Sequence, residues 1–127
     1  MRPAHSDSGF RLAQQFKLAA LSYSRNRAVS ALVLVQFGDT PLLLSIAQGR
    51  VVDVAEAIAP LSSWDFSIKA SVDAWVRFWQ TTPEPGSHDI FALIKNGEMS
   101  VEGNLHPFMA NLQFMKDLLA LGRESSI

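Results

Sequence analysis

Across "WDFSIKASVDAWVRFW", Trp64 to Trp79, the apolar residues recur at every second position and then, past Ser71, at every third or fourth. Trp64, Phe66, Ile68 and Ala70 alternate with Asp65, Ser67 and Lys69, which is the pattern of a strand with one buried and one wet face. Ser71 is a good helix N-cap, and Asp73 places a carboxylate in the first turn, where the helix dipole favours it. Val72, Trp75, Val76 and Trp79 then form one helical stripe, widened by Phe78. A strand that delivers this directly into a helix points to a mixed α+β domain.

A second strand is set between helices near the C-terminus. In "KNGEMSVEGNLHPFM" two turn signals, Asn96-Gly97 and Gly103-Asn104, bracket the alternating run Met99 to Glu102, with Met99 and Val101 inward and Ser100 and Glu102 outward. "TTPEPGS" breaks the preceding helix, and "HDIFALIK" is a short helix that Asn96-Gly97 closes. After the strand, Leu105, Phe108, Met109, Leu112, Met115 and Leu119 fall on one stripe of a long helical region. Upstream, Leu12, Phe16, Ala19, Ala20 and Tyr23 give an amphipathic helix from Ser8 to about Tyr23, ended by "SRNR". "ALVLVQF" is a β-rich segment apolar on both faces, and "GDTP" is a turn. "LLLSIA" and "VVDVAEA" flank the tight connection Gln48-Gly49, so three strands form a meander.

At 127 residues the chain makes one domain, residues 1–127, with an N-terminal helix over 1–27 and a core over 28–121. Hydrophobic residues make up 48% and charged residues 18%, against about a quarter charged in ordinary soluble domains, so part of the apolar surplus is available to line a cavity. A net charge of −1 gives no general attraction to nucleic acid. The charge is uneven: Arg2, Arg11, Lys17, Arg25 and Arg27 face Asp7 alone in residues 1–27, about +4, while six basic and eleven acidic residues in the rest give about −5. The positive helix therefore predicts weak contact with anionic membrane surfaces; the alternative is that Leu12 and Phe16 pack on the sheet and the charges are solvated. The N-terminus lacks the apolar core of a signal peptide and no run is long enough to span a bilayer, so the chain is expected in the cytoplasm.

The absence of cysteine excludes disulfides, thiolate metal sites and a cysteine nucleophile. His5, His88 and His106 have no i, i+4 pairing and no carboxylate at ligand spacing; His88 opens a helix beside Asp89, and His106 precedes Pro107 in a first turn. There is no GxSxG elbow, phosphate loop or dinucleotide fingerprint, so no catalytic residue, metal or cofactor is assigned. Asp65, Asp73 and Asp89 are general-base candidates only if an apolar pocket raises their pKa; solvated positions explain them as well. The remaining feature is a clustering of aromatics and methionines in the second half, which builds either a packed core or a cavity with adaptable walls.

The order of elements, and specifically "FALIKNGEMSVEGNLHPFMANL", resembles the sterol carrier protein family (type two) of small lipid-binding domains. Members typically show an aromatic-containing helix, a Gly-containing turn, a short strand, then Gly and a polar residue leading into C-terminal helices. The counterparts are Phe91 to Ile94, Asn96-Gly97, Met99 to Glu102, Gly103-Asn104, and Met109 with Leu112. "WDFSIKASVDAW" is similar to the family's fourth strand and the capped helix after it. Two departures stand out: Glu98 where the family turn usually has a basic residue, and a longer Pro-rich connection, "TTPEPGSHD".

The resemblance implies a five-stranded, mostly antiparallel sheet covered by helices, with an apolar tunnel between the layers that holds acyl chains, sterols or similar lipids. Its walls would come from Phe66, Ile68, Met99 and Val101 on the sheet and Trp75, Phe78, Trp79, Phe91 and Ile94 on the middle helices. Leu105, Phe108, Met109 and Leu112 would form the lid. The function expected is non-enzymatic binding or transfer of a hydrophobic small molecule. The alternatives are a small α+β isomerase or cyclase acting on a hydrophobic substrate, and an accessory subunit that presents a lipid-like intermediate to a partner enzyme.

Overall fold

The structure, a computed structural model, describes the backbone of residues 4–80 and 90–122, and side chains from residue 9 onward. His88, Asp89 and the break "TTPEPGS" lie outside the described residues, as do Arg2 and the side chains of His5 and Asp7. Strands β1 (Ala31–Phe37), β2 (Thr40–Ala47) and β3 (Arg50–Ala55) form the antiparallel meander expected from their turns. β4 (Phe66–Ala70) lies parallel on the other side of β1, and β5 (Met99–Gly103) pairs antiparallel with β4, giving the order β3-β2-β1-β4-β5. The sheet is thus five-stranded and mostly antiparallel. β1 is its middle strand: Val33, Val35 and Phe37 are buried on one face and Leu34 on the other, which accounts for a segment apolar on both sides.

Asp65 is a clamp at the parallel junction. Its carboxylate accepts the Leu32 N–H at 2.8 Å and its own N–H donates to the Leu32 carbonyl at 2.8 Å, fixing the start of β4 beside the start of β1. Ile68 then pairs with Val101 and Ala70 with Met99. Directly paired residues project to the same side of a sheet, so Phe66, Ile68, Met99 and Val101 share the helix-covered face. Gly103 sits opposite Phe66 with φ of 108°, and a Cβ there would lie 2.8 Å from the Asp65 carbonyl oxygen, so the position takes glycine for both conformation and space.

Helix α1 (Ala4–Ala20) begins and ends earlier than its periodicity predicts and packs on β1 and β2 through Ala13, Phe16 and Ala20. α2 (Val72–Phe78) is capped as expected: Ser71 Oγ accepts the Ala74 N–H at 3.1 Å. Its buried arc, however, is Ala74, Trp75, Phe78 and Trp79, while Val76 faces outward. At about 100° per residue Val76 falls outside the arc those four share, so Phe78 belongs in the stripe and Val76 does not. α3 (Ile90–Lys95) ends in a Schellman motif in which Gly97, at φ 78°, lets Glu98 N–H reach Leu93 O at 2.9 Å and Gly97 N–H reach Ile94 O at 3.1 Å.

The C-terminal helical region consists of two helices, α4 (His106–Ala110) and α5 (Leu112–Leu119). Asn111 leaves helical geometry at φ −126°, ψ 41°, and its side-chain amide donates to the Pro107 carbonyl at 3.0 Å, the carbonyl a continuing helix would pair with the Asn111 N–H. The break re-phases the apolar stripe. Phe108, Phe114, Met115, Leu118 and Leu119 are buried, whereas Leu105, just before α4, and Met109, four residues on, point to solvent. No helix among the described residues is long and apolar enough to cross a membrane.

Candidate functional site

Many of the aromatic side chains that the sequence collects in one half of the chain fall into two clusters in space, one of them completed by Phe16 and Phe37. In the first, α1 brings Phe16 onto Phe37 of β1 at 5.5 Å between ring centroids and stacks it on Trp79 of α2 at 6.2 Å and 7°. Trp75 lies 4.8 Å from Phe37 and 5.3 Å from Trp79, with Phe78 6.2 Å away. Each indole N–H is satisfied, Trp75 Nε1 by Gln36 O at 3.0 Å and Trp79 Nε1 by Leu119 O at 2.8 Å. Gly122 packs flat against the Trp79 ring, where a Cβ would collide with it. Satisfied polar edges, ring-on-ring contact and near-zero exposure place these rings in the buried core. Trp75, Phe78 and Trp79, proposed as cavity walls, stand in this core beneath α1.

The second cluster joins the sheet to the C-terminal helices. Phe66 of β4 meets Phe108 of α4 edge-on, 5.5 Å and 71°, and Phe108 meets Phe91 of α3 at 6.4 Å and 76°. Exposure rises along this ladder from 0% at Phe66 through 2% at Phe108 to 37% at Phe91. Lys116 of α5 places its ammonium 5.4 Å from the Phe91 ring centroid. Beneath the ladder the sheet presents Ile68, Met99 and the half-buried Val101, and half-buried Ile94 and Leu112 pack against the same core from the helices. Leu105 and Met109 stand outside, 43% and 54% exposed. The layer between β4–β5 and α3–α5 is therefore apolar from the sheet to the surface.

Two of the carboxylates weighed as general bases lie among the described residues. Asp65 holds the Leu32 N–H, and Asp73 lies exposed in the first turn of α2. Ser67 is the buried polar side chain among the described residues, on the strand face away from Phe66 and Ile68. A groove of about 360 Å³ between α1 and α2 is lined by Arg11, Leu12, Gln15, Val72, Asp73 and Val76; it is open to water and carries both signs of charge. Glu98 in the turn before β5 pairs with Arg77 of α2, so the acidic residue in place of the family's basic one has its counter-charge on a neighbouring helix.

Sequence reasoning had no signal for Lys116, which occupies an ordinary polar position of an amphipathic helix. It also missed Phe37, whose partners Phe16 and Trp79 lie far away in the chain.

No protein-family model and no curated protein matches the chain. Solved structures do. A crystal structure of sterol carrier protein 2 superposes with a TM-score of 0.63 at 15% identity, covering 90% of this chain and 95% of that one. The sterol carrier protein domain 2 of Helicoverpa armigera gives 0.61 at 12% identity over 89% of this chain and 88% of its own. The UbiJ-SCP2 ubiquinone synthesis protein gives 0.53 at 17% identity over 99% of this chain and 97% of its own. At these identities the likeness is one of fold, and it bears out the family resemblance at that level.

Proposed function

We propose that this chain, which has the sterol carrier protein 2 fold, binds a hydrophobic ligand such as an acyl chain or sterol between β4–β5 and α3–α5 and performs no chemistry on it. The observation that carries the reading is the ladder Phe66, Phe108, Phe91, a continuous apolar path from a fully buried strand residue to a partly exposed helix. Hydrocarbon burial contributes about 0.8 kcal/mol per methylene and needs few polar partners, so selectivity among chains is broad. Native mass spectrometry of the purified protein, followed by displacement of a fluorescent fatty acid, tests it. A co-purified lipid and saturable displacement support the proposal; a bare protein mass with no saturable binding of acyl chains or sterols rules it out.

A second reading makes the protein an accessory subunit that presents its ligand to a separate enzyme, and the likeness to a ubiquinone synthesis protein favours it. A self-sufficient carrier moves labelled lipid between vesicles, whereas a presenting subunit retains it until its partner is supplied. In either case α1 supplies a surface for weak contact with an anionic membrane. Leu12 and Phe16 pack inward, but Phe10, Leu18 and Leu21 form an outward apolar stripe. Its charge is partly engaged: Lys17 pairs with Glu56, holding that carboxyl below its usual range, and Arg25 lies 4.3 Å over the Tyr23 ring.

A further inference from the structure

Between β3 and β4 the chain holds a leucine in a costly backbone conformation and gives its side chain nothing to pack on. The Ser62 N–H donates to the Ala59 carbonyl at 3.2 Å, closing a turn with Pro60 and Leu61 at its centre. Leu61 has φ of 67°, and a proline fixed at negative φ before it makes this a type II turn, whose third position favours glycine. The other non-glycine residue at positive φ among the described residues is Gln48, which forms with Gly49 the two-residue connection from β2 to β3, where chain reversal itself needs that conformation. Leucine serves its turn worse than glycine would, and at 102% exposure it contributes nothing to the core.

The surroundings of Leu61 indicate what such a side chain fits. Residues 57–64 carry no charge, and the carboxylates on either side are engaged within the protein, Glu56 with Lys17 and Asp65 with the Leu32 N–H. Trp64 is 37% exposed, and its indole N–H has no partner among the described residues, unlike those of Trp75 and Trp79. One protruding leucine needs a matching pocket on a protein partner, whereas hydrocarbon accepts it without one. An amphipathic indole three residues away suits the level of lipid headgroups.

Independently of the ligand site proposed above, we infer that the turn Ala59–Ser62 is an anchor for a lipid surface, Leu61 entering the acyl region and Trp64 lying among the headgroups. Pro60 keeps the turn rigid, so little conformational freedom is lost on contact. Withdrawing the leucine side chain from water favours the bound state by about tenfold. The attraction does not depend on charge, so it holds on neutral lipid and persists as salt rises, which separates it from the contact through α1.

Flotation with phosphatidylcholine vesicles is compared for the wild type, Leu61→Gly, Leu61→Asn and Leu61→Phe, with thermal unfolding of each. Leu61→Gly and Leu61→Asn, which suit a left-handed position, are expected to weaken vesicle binding by about tenfold while Leu61→Phe retains it. Leu61→Gly is also expected to raise Tm by about 3–6 °C, so that stability and binding move in opposite directions. Trp75 and Trp79 are buried, so quenching of fluorescence by vesicles with brominated acyl chains reports Trp64, and it should vanish in Trp64→Phe and in Leu61→Gly. A wild-type protein that does not float with neutral vesicles overturns the inference and leaves Leu61 to a protein partner. Unchanged flotation of Leu61→Gly and Leu61→Asn, or quenching that survives in Trp64→Phe, overturns it as well. A Leu61→Gly protein with a lower Tm overturns it too, because the leucine would then support the fold.

Discussion

Tyr23 donates its phenolic hydrogen to the carbonyl of Phe114 at 2.9 Å, tying the segment after α1 to α5 across 91 positions of sequence. The two rings also meet edge-on at 5.0 Å. Phenylalanine at position 23 keeps the ring contact and removes a buried hydrogen bond, so Tyr23→Phe is expected to lower stability by about 1 kcal/mol, read from the urea midpoint.

Burial pushes the Tyr23 pKa from 10.0 up to about 12, against a smaller opposing pull from Arg25. The folded protein therefore holds this proton more tightly than the unfolded chain does. The resulting stability is fully present below pH 10 and is lost as pH rises toward 12, by no more than about 3 kcal/mol. Tyr23 is the chain's one tyrosine, so tyrosinate absorbance reports it directly. A midpoint near 10 in the folded protein would contradict the assignment.

Gly103→Ala places a Cβ against the Asp65 carbonyl at a backbone conformation that side chains avoid. The β4–β5 pairing must shift, at about 1–3 kcal/mol. Because Asp65 also clamps β4 to β1, hydrogen exchange at the Leu32 amide should accelerate in this variant.

Met109 and Phe108 are neighbours with opposite fates. Phe108→Ala removes the middle ring of the ladder and is expected to cost about 3–5 kcal/mol together with most ligand binding. Met109→Glu, at a position 54% exposed, should change stability by no more than about 0.5 kcal/mol. A large thermal loss for Met109→Glu would restore the single continuous stripe that periodicity implies.

Leu18 is 73% exposed on the outer stripe of α1. Leu18→Asp should leave thermal unfolding unchanged and reduce co-sedimentation with anionic vesicles. Wild-type co-sedimentation no greater with anionic than with neutral lipid would remove the membrane contact.

Local chemistry determined much of this protein in advance. The β4–α2 junction at Ser71, the stop at Gly97, the tight connections of the meander and the shared face of Phe66, Ile68, Met99 and Val101 were legible in sequence. Each depends on dihedral preferences or on a period of two, both properties of a few consecutive residues. What tertiary structure alone decided was which side chains from distant elements meet. Helix α1 lays Phe16 over Trp79, and no local pattern records a contact between residues 16 and 79. Met109 is exposed while Phe108 is buried because the break at Asn111 rotates every position before it relative to those after. Lys116 acquires its place at the end of the aromatic ladder only when α3, α4 and α5 converge on β4. Periodicity states that a residue is apolar or polar on its own element; the neighbour it meets is set by how separate elements pack.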